Sequence, residues 1–165
     1  MSKAHPAPEP ATPSDERELV LTRIIDAPAE KLFRCWTDPE LMKQWFTPKP
    51  WKTVDVRTDL RAGGSSYVLM EGPEGQQFPN YGVYLEVVPN RKLVFTDAFT
   101  EAWKPSQKPF MVATVTFEDL GEGRTLYTAR AAHWTVEDLK THEQMGFHEG
   151  WGAAADQLAE LAGRI

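Results

Sequence analysis

The sequence predicts an α+β domain in which a curved antiparallel sheet of about seven strands surrounds a long C-terminal helix, with two short helices after the first strand. Three features lead there. A β-branched run near the N-terminus is followed by two helix-start signals. The stretch from Trp51 to Ala132 then alternates strand-like runs with turn residues, and the chain closes on a capped amphipathic segment. A single helix cannot cover a flat sheet of that width, so the sheet has to curl around it while the short helices close one end.

Residues 1–17 carry Pro6, Pro8, Pro10 and Pro13 and little to bury, which predicts a flexible proline-rich tail ahead of a domain over residues 18–165. His5 in that tail is read as incidental. The run Leu19 to Ile25 is rich in β-branched residues and reads as a strand. Asp26-Ala27-Pro28 opens a helix over Ala29–Trp36, with Leu32, Phe33 and Trp36 on its apolar face. Asp38-Pro39 opens a second, burying Leu41, Met42, Trp45 and Phe46. Six strands follow: Trp51–Leu60, Ser65–Glu71, Tyr81–Val88, Lys92–Ala98, Phe110–Glu118 and Thr125–Ala132. Short separators such as Gly63-Gly64, Pro89-Asn90 and Gly121-Glu122-Gly123 make them a meander of hairpins. Alternation leaves the inward set of the last strand open between Leu126 with Arg130 and Tyr127 with Ala129. Thr135 with Asp138 forms a capping-box pattern, and Phe147, Trp151, Leu158, Ala162 and Ile165 share one stripe within about 40° on the helix wheel. Gly146, Gly150 and Gly152 weaken that helix and permit a bend.

Composition excludes several functions. The formal net charge is −6 and no run of Lys or Arg exceeds two residues, which argues against a nucleic-acid surface. No apolar run approaches the roughly 20 residues of a bilayer span, and the N-terminus lacks the apolar core of a secretory signal. With the single cysteine, Cys35, these features predict a cytoplasmic protein without membrane insertion.

The stretches Asp26–Phe33, Trp36-Thr37-Asp38-Pro39-Glu40, Leu60-Arg61-Ala62-Gly63-Gly64, Gly82–Pro89, Leu93–Thr96, Val115–Glu118 and Gly150-Trp151 with Leu158–Leu161 carry a family resemblance. From Glu18 to the C-terminus the chain resembles the START-like, polyketide-cyclase-like (SRPBCC) helix-grip superfamily. Within it the chain is most similar to the bacterial single-domain homologues of the activator of heat-shock-protein-90 ATPase. The matched motifs are caps, turns and core positions. The resemblance implies a hydrophobic cavity between sheet and C-terminal helix that binds lipids, polyketides or aromatic compounds, and in a minority of relatives supports cyclisation, dehydration or hydrolysis.

No catalytic constellation stands out. His142 and His148 point about 120° apart on a helix wheel and cannot share an ion. No CxxC or HExxH pattern occurs, so neither a metal nor another cofactor is predicted. A G-x-S-x-G elbow is missing, Gly72-Pro73-Glu74-Gly75 is acidic where a phosphate loop is not, and Cys35 reads as a small packed hydrophobe. Aromatic residues are abundant instead. Trp45, Phe78, Tyr81, Phe99, Trp103, Phe110, Phe147 and Trp151 fall near turns, helix ends or the inner stripe, and are the candidate cavity lining. On a continuous wheel Gln144 and His148 also look toward the sheet, as candidates for a ligand's polar end. The proline-bearing loop Thr100–Pro109 around Trp103 is a candidate lid. The expected function is binding of a small apolar ligand. An enzyme using the same cavity and a co-chaperone-like interaction module are the alternatives, and monomer and dimer both stay open.

Overall fold

The computed structural model describes residues 11–165. The elements run β1 (Glu18–Ile25), α1 (Ala29–Thr37), α2 (Pro39–Met42), β2 (Lys52–Thr58), β3 (Ser65–Glu71), β4 (Gln77–Val88), β5 (Lys92–Thr96), β6 (Met111–Gly121), β7 (Arg124–His133), α3 (Val136–Gln144) and α4 (Phe147–Ala162). Seven strands form one sheet in the order β1-β7-β6-β5-β4-β3-β2, and every neighbouring pair is antiparallel. The α+β helix-grip architecture is therefore present. The helices α1 and α2 carry the chain from one edge strand, β1, to the other, β2.

The register settles which residues face inward. Leu21, Ala129, Val115 and Leu93 stand opposite one another across four strands, and all are buried. Leu19, Ala131, Ala113, Phe95 and Tyr84 form the adjacent row. Tyr127 and Ala129 thus face the helices. Arg130 lies on the opposite face, where it pairs with Glu18 and donates to the Thr12 carbonyl. Residues 1–10 and His5 with them lie outside the described residues. Ala11 donates its N–H to Thr22 Oγ1 at 3.2 Å, and Ser14 donates to Glu18 Oε1 at 2.9 Å.

Local chemistry places the helices. Pro28 is the N-cap of α1 with extended backbone, and Asp38 caps α2 by accepting from Glu40 N at 2.9 Å. Thr135 Oγ1 accepts from Asp138 N at 3.0 Å, as the capping pattern predicts. The expected single C-terminal helix is divided: Met145 and Gly146 separate α3 from α4, and Gly146 has φ +94°. That left-handed geometry suits glycine and changes the direction of the helix axis, so one wheel cannot describe residues 136–165.

Gln157 ties α4 to the segment between α2 and β2. Its Nε2 donates to the carbonyls of Trp45 (2.8 Å) and Thr47 (2.9 Å), and its Oε1 accepts from Lys49 N at 3.1 Å. At the β2–β3 connection, Gly64 accepts from Tyr84 N and packs so closely that a Cβ there would lie 1.9 Å from the Asp59 carbonyl oxygen. Gly64→Ala is expected to lower stability by more than about 2 kcal/mol through that clash. Gly75→Ala, at φ +82° in open space, should cost only about 1 kcal/mol of backbone strain. Urea midpoints compare the two, and equal losses would contradict the packing at Gly64.

Candidate functional site

Two groups of side chains between sheet and helices carry polar atoms within aromatic surroundings. The first is built on α1. Burial of Leu32, Phe33, Cys35 and Trp36 turns that helix inward and seats the Trp36 indole 5.0 Å from Trp45, 5.5 Å from Phe46 and 5.7 Å from Phe95, centroid to centroid. Trp45 Nε1 donates to the Cys35 carbonyl at 2.9 Å. Trp36 Nε1 is equally buried and has no hydrogen-bond partner among the described residues. The Tyr127 hydroxyl lies beside it; burial drives the Tyr127 pKa upward, and the Trp36 indole N–H opposes this. Two donors thus meet in the core, one of them unpaired. A buried donor left unpaired costs about 1–3 kcal/mol, which makes Trp36 Nε1 unusual.

The second group lies where β7 leads into α3. His133 and His142 are 4% and 8% exposed. His133 Nδ1 is 2.9 Å from the Phe110 carbonyl oxygen, and its Nε2 is 3.0 Å from His142 Nδ1. A carbonyl only accepts, so His133 carries its proton on Nδ1 and, in the neutral ring, accepts at Nε2. His142 then donates from Nδ1. The rings of Phe110, Phe147 and Trp151 surround His142 at 5.1, 5.1 and 5.8 Å. Burial, and secondarily the neighbouring His133, lower the His142 pKa from 6.5 to about 4. Nucleophilic chemistry finds no support at Cys35, whose buried thiol is pushed up to about 11. Among the described residues no cluster of three or more His, Cys, Asp or Glu side chains could hold a metal ion.

The predicted site residues separate into several places. Phe110, Phe147 and Trp151 come together around His142. Trp45 packs in the core beside Trp36. Phe78 is exposed and touches Trp51, while Tyr81 is exposed and stacks on Tyr67, whose ring carries Arg57. Phe99 meets Trp103 edge-on at 5.7 Å within a loop that folds on itself, Lys104 O accepting from Thr100 N. Trp103 rests against Gly63 in an open groove of about 430 Å³ shared with Asp59, Arg61 and Lys104. Gln144 and His148 are exposed, which corrects the expectation that they look toward the sheet. The break at Gly146 takes Gln144 off the α4 wheel. His148, on the flank of the first α4 turn, faces a groove with Leu139, Glu143 and Glu18. Sequence reasoning missed Trp36, Tyr127 and the His133–His142 pair as site residues. The strand alternation Tyr127, Ala129, Ala131, His133 was the available signal for His133, whereas none marked His142.

A seven-stranded antiparallel sheet closed by a C-terminal helix, with its polar atoms held in an aromatic core, defines a helix-grip protein. The chain belongs to the family described as Activator of Hsp90 ATPase homolog 1-like protein, whose model matches residues 26–163, and through it to the START-like superfamily. A crystal structure of a Nitrosomonas europaea protein is 44% identical, with a TM-score of 0.87, covering 90% of this chain and 96% of that one. A Mycobacterium smegmatis protein is 25% identical with a TM-score of 0.76, covering 94% and 96%. An AHSA1-like protein from Aeromonas hydrophila shares the fold at 19% identity and a TM-score of 0.69, over 89% and 92%. No curated protein matches the chain. No helix among the described residues is long and apolar enough to cross a membrane.

The histidine pair sets a pH dependence. Because folding lowers the His142 pKa from 6.5 to about 4, the unfolded chain binds more protons between those values. Its neutral form stabilises the fold fully above about pH 6.5, and that contribution is lost as pH falls toward 4. The expected loss over this window is at most about 3.5 kcal/mol. Denaturant titrations at stepped pH should show a flatter slope for His142→Phe than for the natural chain; parallel slopes would contradict the assignment.

Proposed function

We propose that the protein binds a small, largely apolar molecule on the inner face of the sheet, against α1 and α4, with an acceptor oxygen of the ligand taken by Trp36. The observation that carries this reading is the buried Trp36 Nε1–H without an acceptor, set among Trp45, Phe46 and Phe95 with the Tyr127 hydroxyl beside it. Ligand sites are typically apolar with a few fixed polar groups, and this cluster has that composition. Phe46, Phe95 and Trp151 are half-buried around the core and give an apolar molecule surface to displace as it enters. Membership of a fold family that commonly binds ligands points the same way.

A carbonyl compound and its hydrocarbon counterpart test the role of the indole N–H. 2-Acetylnaphthalene is expected to quench tryptophan fluorescence with a micromolar dissociation constant. Trp36→Phe should weaken it about 5–10-fold, the worth of one hydrogen bond, while leaving 2-ethylnaphthalene little changed. Failure of both compounds to bind the natural chain, by fluorescence and by native mass spectrometry, would overturn the reading.

A further inference from the structure

We infer that His142 Nε2 is a hydrogen-bond acceptor site for a ligand hydroxyl, so that the molecule bound is one carrying an O–H donor on an apolar, ring-sized body. This rests on the binding reading above and names a second polar position, at the α3 end of the core and apart from Trp36. Three observations support it. The Phe110 carbonyl fixes the His133 tautomer, and His133 Nε2 in turn takes the His142 Nδ1 proton. In the neutral pair the only nitrogen left with a free lone pair is His142 Nε2, which makes no hydrogen bond to any described residue. His142 is more than nine-tenths buried, and its surroundings are rings: Phe110, Phe147, Trp151 and His133.

A packed core does not require two histidines in series. One histidine answering the Phe110 carbonyl would satisfy that carbonyl, and a phenylalanine at 142 would fill the aromatic space. The second histidine relays the polarity of the first to a new position and presents it as an acceptor only. Such a site discriminates by chemistry. Nε2 keeps some accessible surface, so a ligand oxygen can reach it; a hydroxyl is accepted, whereas an ether or ketone oxygen placed there faces a lone pair and has no proton to donate. Burial keeps the ring neutral at physiological pH, so that the lone pair is available. The apolar body would rest on Phe147 and Trp151, whose rings are 4.8 Å apart.

The test pairs 2-naphthol with 2-methoxynaphthalene, which keeps the ring and oxygen and removes the donor. The natural chain is expected to bind 2-naphthol about 5–10-fold more tightly, and His142→Phe to erase that difference by weakening 2-naphthol alone. Because His142→Phe leaves His133 without its donor and can disturb folding, a second measurement uses the natural chain. The 15N resonance of His142 Nε2 should shift on adding 2-naphthol and stay in place with 2-methoxynaphthalene. Equal affinity for the two compounds with an unmoved resonance overturns the His142 site and leaves the binding reading intact. Absence of binding by either compound, together with failure of 2-acetylnaphthalene, overturns both.

Discussion

The inner face of the sheet has to be covered, and the helices available to do so are few. Seven strands at about 4.8 Å spacing span roughly 29 Å, whereas a helix with its side chains is about 10 Å across. The sixteen residues of α4 extend roughly 24 Å and pack over β1 and the middle of the core. Ala129, Ala131 and Ala155 lie in that core, and Gly152 on the helix sits against the Arg23 side chain of β1. Everything beyond the reach of α4 is covered by α1, α2 and the curl of β2–β4.

Coverage by α1 and α2 has to be made with large side chains, because these helices are short. Trp36, Trp45, Phe46 and Phe33 supply it, and two of them bring an indole N–H into the interior. Trp45 finds the Cys35 carbonyl; Trp36 finds none among the described residues. Gln157 on α4 then holds the segment after α2 by three hydrogen bonds, so the aromatic cluster is fixed between two helices and the sheet. The same division of labour explains the histidine pair at the other end. There α3 is too short and too polar to seal the end of β7, and Phe110, His142, Phe147 and Trp151 close it with rings.

Much of this fold was legible in the sequence because its signals are local. Strand β3 coincides with the predicted run Ser65–Glu71, and the other strands agree within a few residues at their ends. The caps at Asp38 and Thr135 followed from residue type and spacing. The site was less legible. Phe110, Phe147 and Trp151 were named and do meet, around His142, while Gln144 and His148 lie exposed. Gln144 and His148 came from one wheel drawn through Gly146, and the positive φ of that glycine makes the wheel discontinuous. His142, the ring at the centre of Phe110, Phe147 and Trp151, looks on any wheel like an ordinary polar residue of an acidic helix.

Alternation and capping depend on neighbours within a few residues, so the sequence by itself determined the strands, the hairpins, the helix starts and the family to which they belong. Which face of β7 is inside, where the C-terminal helix breaks, and which buried nitrogens are paired were decided by the tertiary structure. Those outcomes depend on groups far apart in the chain. Phe110 and His133 meet because β6 and β7 pair in one register, and His142 reaches His133 only after α3 folds back over the strand end. The unpaired Trp36 N–H likewise exists only once α1, α2 and β5 have packed their rings around it.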